Sequence, residues 1–418
     1  MFFKNKTTNY LFINRNEVRI VIQDTKFQIL FNQNCKAVFF NDTLTIIDVK
    51  TFKYALIKLI QEAEKILQTT IIDFVLVVDG IKVESRSVEI TREFVKHKKI
   101  SKYDILKIEE KAKELIFDSD ISIFAVRPSE MVFDSNDPQY SIPFDSSFKS
   151  FTMSLMMLGF EKTTFNNLVN IINDCKINIL MSTTSQILSA MDYIVNTDDD
   201  NEDLKGIFIS VEKSFSSILI VKENCFCYFN TIPIGFNDLI SEISNKFDIK
   251  QSDVINILSK TFTIYKNTLY NSKSLMSRDD LETSQDETLD HQTIYQIQEI
   301  IKKHYLYIIE ALIQKYSESI KNINNDSLQT ASKLFFDVFV CGTYNSYLKS
   351  LDLVKLNNAT ISVKNYIFDC YIAENSDDIT KIQNENKVLS RNFLHIIFQD
   401  CQENITLKVQ KLISKFFN

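Results

Sequence analysis

Hydrophobic positions along the chain fall into three kinds of run. Alternating or short continuous stretches predict strands. Residues 10–22 (YLFINRNEVRIVI), 27–30 and 37–40 predict an N-terminal meander. Residues 71–78 (IIDFVLVV) form a nearly continuous apolar run rich in β-branched residues, which suits a buried strand. Helical spacing marks residues 51–67, 163–174, most of 236–262, and 294–323. It also marks the stretch KYDILKIEEKAKELI, which the hydroxyl of Ser101 can cap. Strand-like character returns at 81–90, 121–126, 148–158, 206–221, 226–234 and 338–340, and 391–399 reads as a further helix. A meander, then helices, then another strand occurs twice, so two duplicated α/β domains flanking a cleft are expected.

The third kind of run closes the chain. Ile405, Val409, Leu412, Ile413 and Phe416 recur at the spacing of one helical face, and Phe417 joins its apolar edge. Lys408, Lys411 and Lys415 lie off the centre of that face, no carboxylate follows Glu403, and Asn404 is a suitable N-cap. A terminal helix packed on the core would show the same periodicity. The all-positive charge and the aromatics at the extreme end favour an interfacial helix instead, with lysines at anionic headgroups. Each such lysine is worth about 1 kcal/mol, so one tail binds weakly and firm attachment needs several tails in one assembly.

Composition narrows the function. The 418 residues suggest two or more domains. No apolar run reaches the ~18 residues of a membrane span, and residues 1–9 (MFFKNKTTN) lack the features of a signal peptide. A cytoplasmic protein with peripheral membrane contact is expected. The net charge of −7 argues against nucleic-acid binding. The cysteines are scattered; Cys225 and Cys227, two apart in a strand, should share a face. The acidic stretches 196–203 and 271–290 read as a solvated linker and a surface loop. His97, His291, His304 and His395 are isolated, and no HExxH, GxSxG, Walker loop or CxxC is present. Glycine is the unusual number: five residues, where an average chain of this length holds about 29. Loops that cradle phosphates need glycine so that N–H groups can approach the anion.

Several stretches resemble one family, the actin-like bacterial cell-division protein FtsA. They are residues 100–113 (ISKYDILKIEEKAK), 231–239 (TIPIGFNDL) and 164–178 (TFNNLVNIINDCKIN), in the family's order, with the amphipathic tail in the family's place. The resemblance covers nearly the whole chain. It implies an α/β actin-like fold of two duplicated domains, the first formed by 1–80 and 162–200 with the family's inserted subdomain at 81–161. The second would span 201–399 with a helical insertion at about 239–332, followed by a linker and membrane-targeting helix at 400–418. It also implies self-assembly into filaments and recruitment of FtsZ, through its C-terminal peptide, to the inner membrane face at the division site. The FtsZ-binding surface would lie in the helical insertion.

The family's nucleotide motifs are largely missing. Where its first phosphate loop has Asp and Gly before a Thr-Ser pair, this chain reads Phe12, Asn14, Arg15 and Asn16. Where the second has two aspartates around three glycines, residues 210–217 read SVEKSFSS. Ser210 and Ser217 replace the aspartates, and Glu212, Lys213 and Ser214 the glycines; the adenosine loop keeps Gly342. Serines cannot supply the charge that organises hydrated Mg²⁺, and Glu212 would repel phosphate. No cofactor is expected beyond weak ATP binding through Lys213 or Arg15, and a non-enzymatic scaffold is the leading expectation. The alternatives are a working actin-like ATPase and an actin-like platform protein of the PilM type.

Overall fold

The computed structural model describes residues 7–15, 17–24, 28–41, 45–115, 120–134, 136, 138–140, 146–196, 205–222, 225–258, 291–323, 337–341, 353–356 and 359–364. Strands β1 (Thr8–Asn14), β2 (Glu17–Gln23) and β3 (Ile29–Lys36) form the N-terminal meander. Helix α1 (Val49–Leu67) follows; the Asp48 carboxylate caps it by accepting from Lys50 N and Thr51 N. It ends where Gln68 turns left-handed at φ 50°. Its buried face, Phe52, Ala55, Leu56, Leu59, Ile60 and Ala63, packs on the meander. Burial of each large apolar side chain contributes about 1.5–3 kcal/mol. Strand β4 (Asp73–Val78) then lies parallel to β1.

After β4 the chain turns at Gly80, with φ 87°, and leaves the sheet. It builds β5 (Val83–Lys99), α2 (Lys102–Leu115), β6 (Ile121–Phe133) and β7 (Ser147–Glu161), an antiparallel sheet in the order β5-β7-β6. It returns through α3 (Lys162–Asn173), capped by the Glu161 carboxylate, to β8 (Asn178–Thr183) and α4 (Ser185–Asn196). The first sheet is therefore β3-β2-β1-β4-β8, antiparallel in the meander and parallel beyond it.

The second half repeats this plan. Strands β9 (Lys205–Val211), β10 (Ser216–Lys222) and β11 (Cys225–Ile232) form a meander. Helices α5 (Phe236–Phe247) and α6 (His291–Ile323) precede β12 (Asp337–Cys341), which lies parallel to β9. A hairpin of β13 (Leu353–Leu356) and β14 (Ala359–Lys364) completes the order β11-β10-β9-β12-β14-β13.

Strand β11 serves three cores. Cys225 packs in the inserted subdomain's core, with half-buried Cys227 against it, so the two thiols do share a side. Phe226 and Phe229 join the core of the first half, and Ile232 joins that of the second. The subdomain is fastened here: Cys225 Sγ donates to the Tyr140 carbonyl at 3.0 Å, and Lys222 Nζ lies 3.8 Å from the centre of the Tyr140 ring.

Three local expectations need correction. The runs at 27–30 and 37–40 are replaced by one strand, β3, whose centre is the polar Asn32-Gln33-Asn34; an edge strand needs no apolar side chain on its outer face. The helix expected over most of 236–262 is interrupted at Asp248, left-handed at φ 50°, before a helical segment at 251–258. Strand β8 and helix α4 had no counterpart among the expected elements. Residues 197–204, 271–290 and 391–399, Gly342, and the tail from Ile405 to Phe417 lie outside the described residues.

Candidate functional site

The residues expected at a nucleotide site sit on two hairpin turns and on the strand ends beside them. Asp79 N donates to the Ile13 carbonyl at 3.0 Å, which sets the end of β4 beside the end of β1. Asn14 is buried and Arg15 half-buried at the β1–β2 turn. In the second half, Ser210 and Ser217 are direct cross-strand partners on β9 and β10, and both are buried. Lys213 sits in the turn between them. Burial, and then the charge of Arg15, push the Lys213 pKa below the usual ammonium value. The cations of the two turns are thus close enough for their charges to interact. Cys341, which precedes Gly342, pairs in register with Ser210.

Hydrogen bonding in this region runs inward. Ser210 Oγ donates to the buried Glu212 carboxylate at 2.9 Å. Ser217 Oγ donates to Gln186 Oε1 at 2.9 Å. The Gln186 amide nitrogen donates to the carbonyls of Phe208 at 2.8 Å and Ser217 at 3.3 Å. Gln186 lies in the first turn of α4, a helix of the first half, so its amide ties the two halves together. One residue earlier, Ser185 donates to the Asp79 carboxylate through its backbone N–H, at 2.9 Å, and through its hydroxyl. Burial raises the Asp79 pKa above the ordinary 3.8, outweighing the two hydrogen bonds from Ser185 that lower it.

The β9–β10 turn is itself occupied by protein. Glu212 N donates to the Phe215 carbonyl at 2.9 Å. The carbonyls of Glu212 and Lys213 accept from Phe236 N at 2.9 Å and Asn237 N at 2.8 Å, at the start of α5. Gly235 N donates to the Asp238 carboxylate at 2.7 Å. Those are donors that a helix N-terminus could otherwise offer to an anion. Gly235 is required by the close approach: a Cβ there would lie 2.5 Å from the Glu212 carbonyl oxygen and 2.6 Å from Phe215 N. From α6, His304 Nε2 donates to the Gly235 carbonyl at 3.1 Å, and burial lowers its pKa despite that bond and nearby Glu242.

Ser210, Glu212 and Ser217 therefore form one hydrogen-bonded group with Gln186, Arg15 and Lys213 lie within electrostatic reach of each other, and Asn14 is buried at the end of β1. Asp79, Ser185, Gln186 and Gly235 complete the arrangement and were not singled out as site residues from the sequence; His304, read there as isolated, is bonded to Gly235. Asp79-Gly80 at the end of an apolar run and Gly235 in a chain with five glycines were the available signals. Gln186 offered none. Among the described residues, no group of three His, Cys, Asp or Glu could hold a metal ion, and no helix is long and apolar enough to cross a membrane.

No protein-family model matches the sequence, and no curated protein matches it. Solved structures do. A type IV pilus biogenesis complex, PilM–PilN, superposes at a TM-score of 0.51 with 9% identity, over 93% of this chain and 98% of that one. The ethanolamine utilization protein EutJ from Carboxydothermus hydrogenoformans gives 0.41 with 9% identity, over 86% of each chain. MreB5 of Spiroplasma citri bound to AMPPNP gives 0.40 with 8% identity, over 96% of this chain and 99% of that one. Identities this low speak for the fold alone. The chain is an α/β protein of the actin-like fold.

Proposed function

We propose that this chain is an actin-like scaffold that does not hydrolyse ATP and that tethers FtsZ filaments to the membrane, in the manner of FtsA. The observation that carries the non-hydrolysing part is the β9–β10 turn. Its carbonyls are bonded to the start of α5, and Ser210 and Ser217 on the flanking strands to Glu212 and Gln186. Serines at 210 and 217 remove the carboxylate pair that would organise a hydrated Mg²⁺, and a turn without glycines is poorly suited to wrap a phosphate chain. Weak ATP binding through Arg15 and Lys213 is compatible with this reading.

In this scheme the C-terminal segment at 400–418, through Ile405, Val409, Leu412, Ile413, Phe416, Phe417 and its lysines, holds the chain on anionic lipid at the inner face of the cell membrane. Self-assembly multiplies that weak contact. The likeness to the PilM–PilN complex favours a second reading, an actin-like platform that docks a short segment of a different partner.

ATP turnover by the pure protein separates scaffold from ATPase: no turnover is expected, and sustained hydrolysis would overturn the scaffold reading. Co-pelleting with FtsZ on phosphatidylglycerol vesicles tests the tether, and should be lost when FtsZ lacks its C-terminal peptide. Vesicle binding without FtsZ recruitment would favour the second reading. Full chains carrying L412D/F416D should no longer pellet firmly.

A further inference from the structure

The tip of the inserted subdomain is basic, although the chain as a whole is acidic. Residues 92–104 contain five Lys or Arg (Arg92, Lys96, Lys98, Lys99, Lys102) and two carboxylates, Glu93 and Asp104. Strand β5 pairs regularly with β7 as far as Glu93↔Ser150 and resumes at Lys98↔Phe148. Four residues, 94–97, therefore stand against one, Lys149. Such a bulge must push its surplus backbone out of the sheet. Its base is fixed, with Phe94 stacked on Phe151 at 6.0 Å and Lys98 Nζ 5.2 Å from the Phe94 ring centre. Lys98 also bonds the Asp104 carboxylate at 2.6 Å. Burial raises the Asp104 pKa, but the bonds from Lys98 and Ser101 outweigh it and hold the value at about 2, so this carboxylate stays charged and is engaged.

At the crest, Val95 is 96% exposed and is followed by the exposed Lys96 and His97; Lys99, further along the strand, and Lys149, opposite the bulge, are exposed as well. A β-branched side chain almost wholly open to water contributes nothing to the fold. On a flat or concave surface it could not be so open, so it tops a projection. A peptide is normally gripped in a groove or along a strand edge. A projecting apolar residue on a segment where lysines outnumber carboxylates fits instead a broad, negatively charged, deformable surface with an apolar layer beneath.

We infer that the β5 tip is a membrane contact, in which Val95 enters the headgroup layer while Lys96 and Lys99 engage anionic phospholipid headgroups. The contact is separate from the C-terminal segment and does not depend on it. Its charge part should fade at high salt, because exposed charges are screened beyond about 3 Å at 1 M.

The chain contains no tryptophan, so V95W in the full chain is a single fluorescent reporter. Its emission should shift to the blue with phosphatidylglycerol vesicles, should not shift with phosphatidylcholine alone, and should revert at high salt. Adding K96E/K99E should raise the lipid concentration at half-shift about tenfold or more. These side chains are exposed, so melting should stay at the wild-type value. Adding L412D/F416D to V95W should leave a blue shift, at higher lipid. Pelleting without any shift of the reporter would overturn the tip contact and leave the tail contact standing. No shift at any lipid concentration would overturn it too. An equal shift with soluble polyglutamate would overturn it in favour of an acidic protein partner. Pelleting that survives L412D/F416D, with a shifted reporter, would overturn the tail reading and support the tip.

Discussion

The turn between β1 and β2 and the turn between β9 and β10 occupy equivalent places in the two halves, yet they are held differently. The first joins paired Asn14 and Glu17 through two residues, with Arg15 half-buried. The second spans four residues between Val211 and Ser216, and helix α5 sits on it through two N–H···O=C bonds. Where a helix start meets a turn this closely, backbone donors satisfy backbone acceptors, and the turn becomes part of the scaffold's core. One of the chain's five glycines, Gly235, stands at this junction, where it admits protein backbone.

The sharpest way to break that contrast is Gly235→Ala. The added methyl meets backbone on three sides, which cannot rotate away, so unfolding in urea should show a loss of about 3 kcal/mol, the upper range for overpacking. Next is Gln186→Ala, which removes the amide between the halves and leaves two buried carbonyls and the Ser217 hydroxyl without it. A loss of about 2 kcal/mol is expected in the same assay. A loss below about 0.5 kcal/mol would show that the halves are held elsewhere.

Asp79→Asn tests the strand end through pH. Burial raises the folded-state pKa of Asp79 above 3.8, so between the two values the folded chain keeps a proton that the unfolded chain has released. The stability contributed by this group is full below 3.8 and falls as pH rises through the folded pKa. The advantage of D79N over wild type should therefore widen with rising pH and then level; an advantage that shrinks would mean the carboxylate is favoured as the anion. The smallest effect is electrostatic. Arg15→Ala should let the Lys213 pKa rise, as read by NMR titration of labelled lysine, and an unmoved value would mean that the turns do not sense each other.

Much of the fold was legible because burial writes itself into periodicity. The stripe that α1 buries and the apolar run after Asp73 in β4 each have a single reading. Strand β8 and helix α4 were not legible, since NILMST and SQILSAMDYIVN are short and carry serine and threonine into buried positions. Those polar residues are there for the same reason that the site was only half readable. The turn positions could be placed by resemblance, whereas Ser185 and Gln186 acquire their roles from residues 22 to 106 positions away, Gln186 with Phe208 and Ser185 with Asp79. A contact between distant segments leaves no pattern in either one.

Strand β11 has a consequence for how the molecule comes apart. Its side chains are shared among the cores of both halves and of the inserted subdomain. Peeling it away would expose apolar surface in all three bodies at once, so none of them has an inexpensive way to loosen alone. Heat or denaturant should then meet a single cooperative transition where a chain of two halves and an insert would ordinarily show successive ones.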